Sequence, residues 1–144
     1  MSRRQARERI LQVLFQVDVG GIDPYQAYQN IDNSFGELAK EQDFSMRIIL
    51  GTLDNLQFID HVISIVSKDW NINRMAKVDK NIMRMALYEI FYCDNIPSNV
   101  SVNEAVELGK IFGGEESGRF INGILGRVIE NIVQYQPGVG LDES

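Results

Sequence analysis

Four arginines crowd the first nine positions of the 144-residue chain, Arg3, Arg4, Arg7 and Arg9, with Glu8 the only acid among them. The whole chain carries a net charge of −6, so everything outside this segment is strongly acidic. A basic segment on an acidic protein is either a local contact for nucleic acid or a solubilising helix start with no partner. Arginines at a helix N-terminus oppose the macrodipole, which prefers acids there, and a mildly unfavourable placement points to use. Phe15, on the flank of the same helix, either offers a stacking face to an unpaired base or packs in the core.

The remaining candidates for chemistry are few. Glu89 falls on the apolar side of its helical pattern, and Asn122 with Gly123 sits one turn into another. A buried carboxylate or amide needs hydrogen-bond partners or costs a few kcal/mol, so all three are read as structural, tying a helix to the Pro97 loop or to a neighbouring helix start. Catalysis by Glu89 would need a second group beside it, and the sequence offers no obvious one. His61 is the only histidine, which argues against a metal cluster or a Ser/His pair. The single Cys93 lies on an apolar helix face and reads as a buried, reduced thiol of a cytosolic protein. Gly113 and Gly114 are followed by Glu115 and Glu116, acids where a phosphate-binding loop would want positive charge. No cofactor, metal or enzymatic activity is expected.

The elements that position these residues are helical throughout. Ala6, Ile10, Val13, Leu14 and Val17 form the core stripe of a first helix ended by Gly20 and Gly21; Asp23-Pro24 opens a second that runs to about Phe35. After a polar stretch from 36 to 42, a long pattern from Ser45 to Ser67 invites a kink or division at Gly51 or Asn55. Trp70 to Arg74 is a turn-rich connection in which Trp70 is expected to cap the junction between two halves of the core. Three further stripes, from Val78 to Cys93, Val102 to Gly109 and Phe120 to Ile132, need partners and so make a bundle. Ser101 and Glu104 have capping-box spacing for the middle of these, and Ser117 or Glu116 would open the last. The arginine-rich start lacks the apolar core of a signal peptide, and no apolar run is long enough to span a membrane. The length suits one domain over 1–135, with a loose acidic tail over 136–144.

The runs VDKNIMRMALYE, then IP, then VSVNEAVELGKIFGGEESGRFINGIL, together with the opening RRQARERILQVLFQ, resemble the NusB family of bacterial transcription antitermination factors. The resemblance covers most of the chain. The family more often has valine at Ile121 and aspartate at Gly126, and Gly126 weakens its own helix. The helical segments predict an all-α fold of about seven helices, and the resemblance implies that they are arranged as two small packed bundles. It also implies binding to the boxA element of ribosomal-RNA leader transcripts as single-stranded RNA, together with NusE, a small-subunit ribosomal protein, in a complex that helps RNA polymerase resist termination. Carried over residue by residue, Arg3, Arg4, Arg7, Arg9 and Phe15 match the RNA-contacting helix, and Asp79 and Glu116 match acidic positions facing NusE. Both acids stand near helix N-termini, where a cap is the competing explanation. A module serving ribosomal-RNA modification or ribosome biogenesis is the alternative function, and a homodimer formed through the first helix would hide the basic segment.

Overall fold

A computed structural model describes residues 2–35, 42–68 and 70–138. Among these residues there are seven α-helices: α1 (Arg3–Gly20), α2 (Pro24–Phe35), α3 (Gln42–Asp54), α4 (Leu56–Val66), α5 (Lys77–Tyr92), α6 (Ser98–Gly113) and α7 (Glu115–Glu130). A 3-10 turn over Ile72–Arg74 precedes α5, and no strand occurs among the described residues. The polar link over 36–41 and the end of the acidic tail, from 139 onward, lie outside the described residues.

Helices α1 to α3 form one small bundle and α4 to α7 the other. The two share α5, which packs on α1 and α3 on one side and on α4, α6 and α7 on the other. Thirteen of the sixteen residues of α5 are buried, so it is the central element. Burial on every side forces its polar residues to pair. Arg84 grips Asp60 of α4 with two hydrogen bonds of 2.8 and 2.7 Å. Lys80 and Asn81 reach Asp18 of α1 at 3.2 and 3.1 Å. Burial alone would raise the Asp18 carboxyl, but these hydrogen bonds and the Arg84 charge hold it below its ordinary value.

The local signals at the first helices are plain. Ser2 caps α1 in a full capping box with Gln5, and Gly21 ends the helix with φ at 65°, a left-handed conformation that glycine adopts freely. Asp23 accepts from the backbone N–H groups of Tyr25 and Gln26 at the start of α2. The long pattern from Ser45 divides at Asn55, where α3 and α4 meet at a 73° bend. Asn55 stabilises the break by donating its side-chain amide to the Gly51 carbonyl at 2.8 Å. Gly51 serves packing instead, because a Cβ there would fall 2.1 Å from the ring of Tyr88.

No single helix among the described residues is long and apolar enough to cross a membrane. The bent α3–α4 pair has the composition, but its Ile48, Ile49, Ile59, Val62 and Ile63 are fully buried in the core.

Three expectations are corrected. Ser101 and Glu104 do not cap α6, which begins at Ser98 behind Pro97; both lie inside the helix and point at other partners. Asn122 and Gly123 are exposed on α7 and tie nothing, because the stripe of that helix is carried by Ile121, Ile124, Leu125 and Val128. Trp70 is 58% exposed and closes no junction, although its ring packs edge-on against Phe120 of α7 at 5.5 Å.

Candidate nucleic-acid and partner interface

The four arginines of α1 do not form one solvated arm. At roughly 100° per residue, Arg3, Arg4 and Arg7 share one side of the helix and Arg9 faces another. Arg3 lies over the ring of Phe44 in α3, 3.8 Å from its centre, a cation–π contact. Arg4 is exposed and makes a two-point contact with Glu104 of α6, at 3.1 and 2.8 Å. Arg7 is buried, and its guanidinium binds Glu89 of α5 in the same forked manner, at 2.9 and 2.8 Å. Arg9 is half-buried, with its guanidinium 3.5 Å from the Gln5 carbonyl.

The second group beside Glu89 is therefore Arg7, from 82 residues earlier in the chain. Ser101 completes the set by donating its hydroxyl to Glu89 at 2.8 Å. The buried carboxylate thus joins α1, α5 and α6, and every strong donor around it is spent on holding helices. This arrangement positions the start of α1.

Glu104 is the residue that sequence reasoning placed wrongly and that matters most to the surface. It neutralises Arg4 and stands 4.0 Å from Arg7. Hydrogen bonding from Arg4 holds its carboxyl below the ordinary value, against the opposing effect of burial. Phe44 and Arg47 of α3 were also missed, since nothing in their spacing ties them to α1.

Phe15 is 36% exposed, so it is not an ordinary core residue. With Leu11, Gln12, Gln16, Val78 and Phe112 it lines a shallow, mostly apolar cavity of about 220 Å³. A ring at such a site can take a base on its face.

The two acids differ from one another. Glu116 is exposed in the first turn of α7. Asp79, in the first turn of α5, is buried; Ser117 hydrogen-bonds to it, while its Oδ1 has no hydrogen-bond partner. Burial raises the Asp79 carboxyl, more than the Ser117 hydrogen bond lowers it. A carboxyl whose pKa is raised by folding costs stability when ionised. That cost is full above the folded pKa and vanishes below the unfolded one. Asp79→Asn is accordingly expected to stabilise the protein at pH 7, with the gain shrinking as pH falls through the carboxyl range, measured by urea unfolding at several pH values. A gain that is constant with pH would show that ionisation is not its origin.

The NusB family model matches residues 4–130. This chain belongs to the NusB family. It is 69% identical over 137 residues to the transcription antitermination protein NusB of Pelotomaculum thermopropionicum, covering 95% of each chain. Its fold is similar to that of T. maritima NusB, with a TM-score of 0.80 and 37% identity over 90% of this chain and 92% of that one. It superimposes equally on a chain from a crystal structure of the antitermination factors NusB and NusE in complex with dsRNA. There the TM-score is 0.79 and the coverage 90% and 96%, and at 22% identity the likeness concerns the fold. The NusB fold is thus built here around α5, with α1 held to it by Arg7 and Asp18.

Proposed function

We propose that this NusB-family chain is a cytoplasmic transcription antitermination factor that binds boxA-type single-stranded RNA of ribosomal-RNA leaders. It does so together with NusE, in the complex that acts on RNA polymerase. The observation that carries the reading is the start of α1. Exposed Arg3, with its guanidinium on the ring of Phe44, and exposed Arg4 are neighbours in the first turn, on a chain whose net charge is −6. Cationic groups, one of them a planar guanidinium on which a base can stack, suit an unpaired strand, which presents both phosphates and open bases. Arg3, Arg4, Arg9 and Phe15 are the RNA contacts in this proposal, and Arg7 holds their helix in place. Glu116 is the acid placed to meet the basic NusE, since complementary potentials speed association. Buried Asp79 supports that surface from beneath through Ser117, the neighbour of Glu116. The role is binding, with no reaction assigned.

The test is titration of a boxA oligonucleotide, its scrambled form and its duplex, each with and without NusE. The reading requires preference for the single-stranded boxA sequence and tighter binding with NusE; equal affinity for all three would overturn it.

Because Glu104 occupies Arg4 before RNA arrives, the strand must displace a carboxylate to reach that guanidinium. Glu104→Gln is expected to raise RNA affinity about twofold to fivefold, the scale of an exposed ion pair. The increase should shrink as salt rises. Unchanged or weaker binding by folded Glu104→Gln would place Arg4 outside the RNA contact.

A further inference from the structure

A cavity of about 200 Å³ opens beside the start of α1, walled by Arg3, Phe44, Arg47, Cys93, Asn95 and Ile96. We propose that it receives one unpaired base of the bound RNA strand, with Arg47 and Asn95 as contacts that extend the surface of α1 onto α3 and the α5–α6 turn. The proposal rests on the RNA-binding reading above and adds a subsite to it.

The shape and lining are those of a base site. Its volume is below the roughly 300 Å³ at which sites for drug-sized ligands begin, so it suits a single planar ring system. The Arg3 guanidinium, lying on Phe44 at 3.8 Å, supplies a flat cationic wall, and bases stack on guanidinium planes as they do on aromatic rings. Buried Cys93 and half-buried Ile96 contribute apolar lining. Burial raises the Cys93 thiol, which keeps it neutral there.

Two exposed polar side chains, Arg47 and Asn95, stand at the rim. Arg47 is exposed and makes one long contact, 3.4 Å to the Tyr92 carbonyl, with no ion pair among the described residues. Its charge is available to a phosphate. Asn95 occupies the turn closed by the Ile96 N–H on the Cys93 carbonyl at 3.1 Å, and its side chain is exposed. An amide offers one acceptor and two donors, the set needed to read the edge of a base. The cavity adjoins Arg3, so a strand lying along the start of α1 needs no detour to fill it.

The experiment uses the full chain and a series of boxA oligonucleotides, each with one base removed to leave an abasic position. Binding is read by fluorescence anisotropy for wild type, Arg47→Ala and Asn95→Ala, with circular dichroism confirming that both exposed substitutions leave the fold intact. Wild type should lose about fivefold or more in affinity at one abasic position or more, the scale of a stacked base. At one of those positions the loss should be smaller by about twofold or more in Asn95→Ala, because the base there has already lost its hydrogen-bond partner while keeping its stacking wall. Arg47→Ala should lower the slope of log affinity against log salt by about 0.7, one phosphate contact on a single strand. If wild type binds boxA RNA and both variants match it across the series and in salt slope, the subsite is overturned and the parent reading stands. If wild type binds none of the oligonucleotides, both fall together.

Discussion

Glu89→Ala is expected to lower the unfolding free energy by about 3–5 kcal/mol, because it strands the Arg7 guanidinium in the core without its counter-charge. Both side chains are nearly inaccessible, at 5% for Arg7 and 1% for Glu89, so water cannot replace the lost carboxylate without opening the helix packing. The hydroxyl of Ser101 loses its acceptor as well. Replacing both charges by methionine should recover most of the loss, since an apolar pair of similar volume removes the desolvation cost along with the attraction. Urea unfolding of the two variants and wild type decides the matter. A loss below about 1 kcal/mol for Glu89→Ala would mean that the site collapses or hydrates at little cost. In Glu89→Gln protein that stays folded, RNA affinity should be close to wild type, because nothing in the pair reaches the surface.

The second large effect concerns RNA. Changing Arg3, Arg4 and Arg9 together to alanine should reduce affinity for boxA RNA by about tenfold or more at low salt. It should also flatten the salt dependence by up to about 2.1 in the log–log slope, three phosphates at roughly 0.7 each. Arg7 is left out deliberately: its removal would strand Glu89 in the core, and the resulting loss of fold would imitate a loss of binding. An unchanged slope with weakened affinity would show that these arginines act by stacking or by helix placement. The geometry already separates their contributions, since Arg3 lies on Phe44 while Arg4 is held by a carboxylate.

Much of this fold was legible because helices announce themselves through periodicity and punctuation. The seven segments, the glycine stop at Gly21, the Asp23-Pro24 start and the division at Asn55 all rest on local rules that act within a few residues. What those rules do not carry is the identity of partners distant in sequence. Arg7 and Arg4 look alike in composition, yet one is buried by Glu89 and the other exposed against Glu104, and only the packing of α1 on α5 and α6 separates them. Ser101 and Glu104 had the spacing of a capping box; the helix begins three residues earlier, after Pro97, which frees both for tertiary contacts. The true capping box, Ser2 with Gln5, was masked by the charges that follow it. Asn122 misled because a polar residue inside an apolar segment can equally belong to the next face of the helix. The proposed RNA contacts of α1 came from resemblance and charge together, while Phe44 and Arg47 had no local signal to find.

The sharing of α5 between the two bundles bears on how the protein comes apart. The α1–α3 bundle borrows α5 from the other bundle for its core, so it is not expected to stay folded once α4 to α7 open. Amide protons in the middle of α5 should exchange only through complete unfolding, at a rate set by global stability, whereas those at the start of α2 and the end of α7 exchange by local fraying. A partner that binds either bundle would then slow exchange in α5 as well, transmitting its binding energy to the half of the molecule it does not touch.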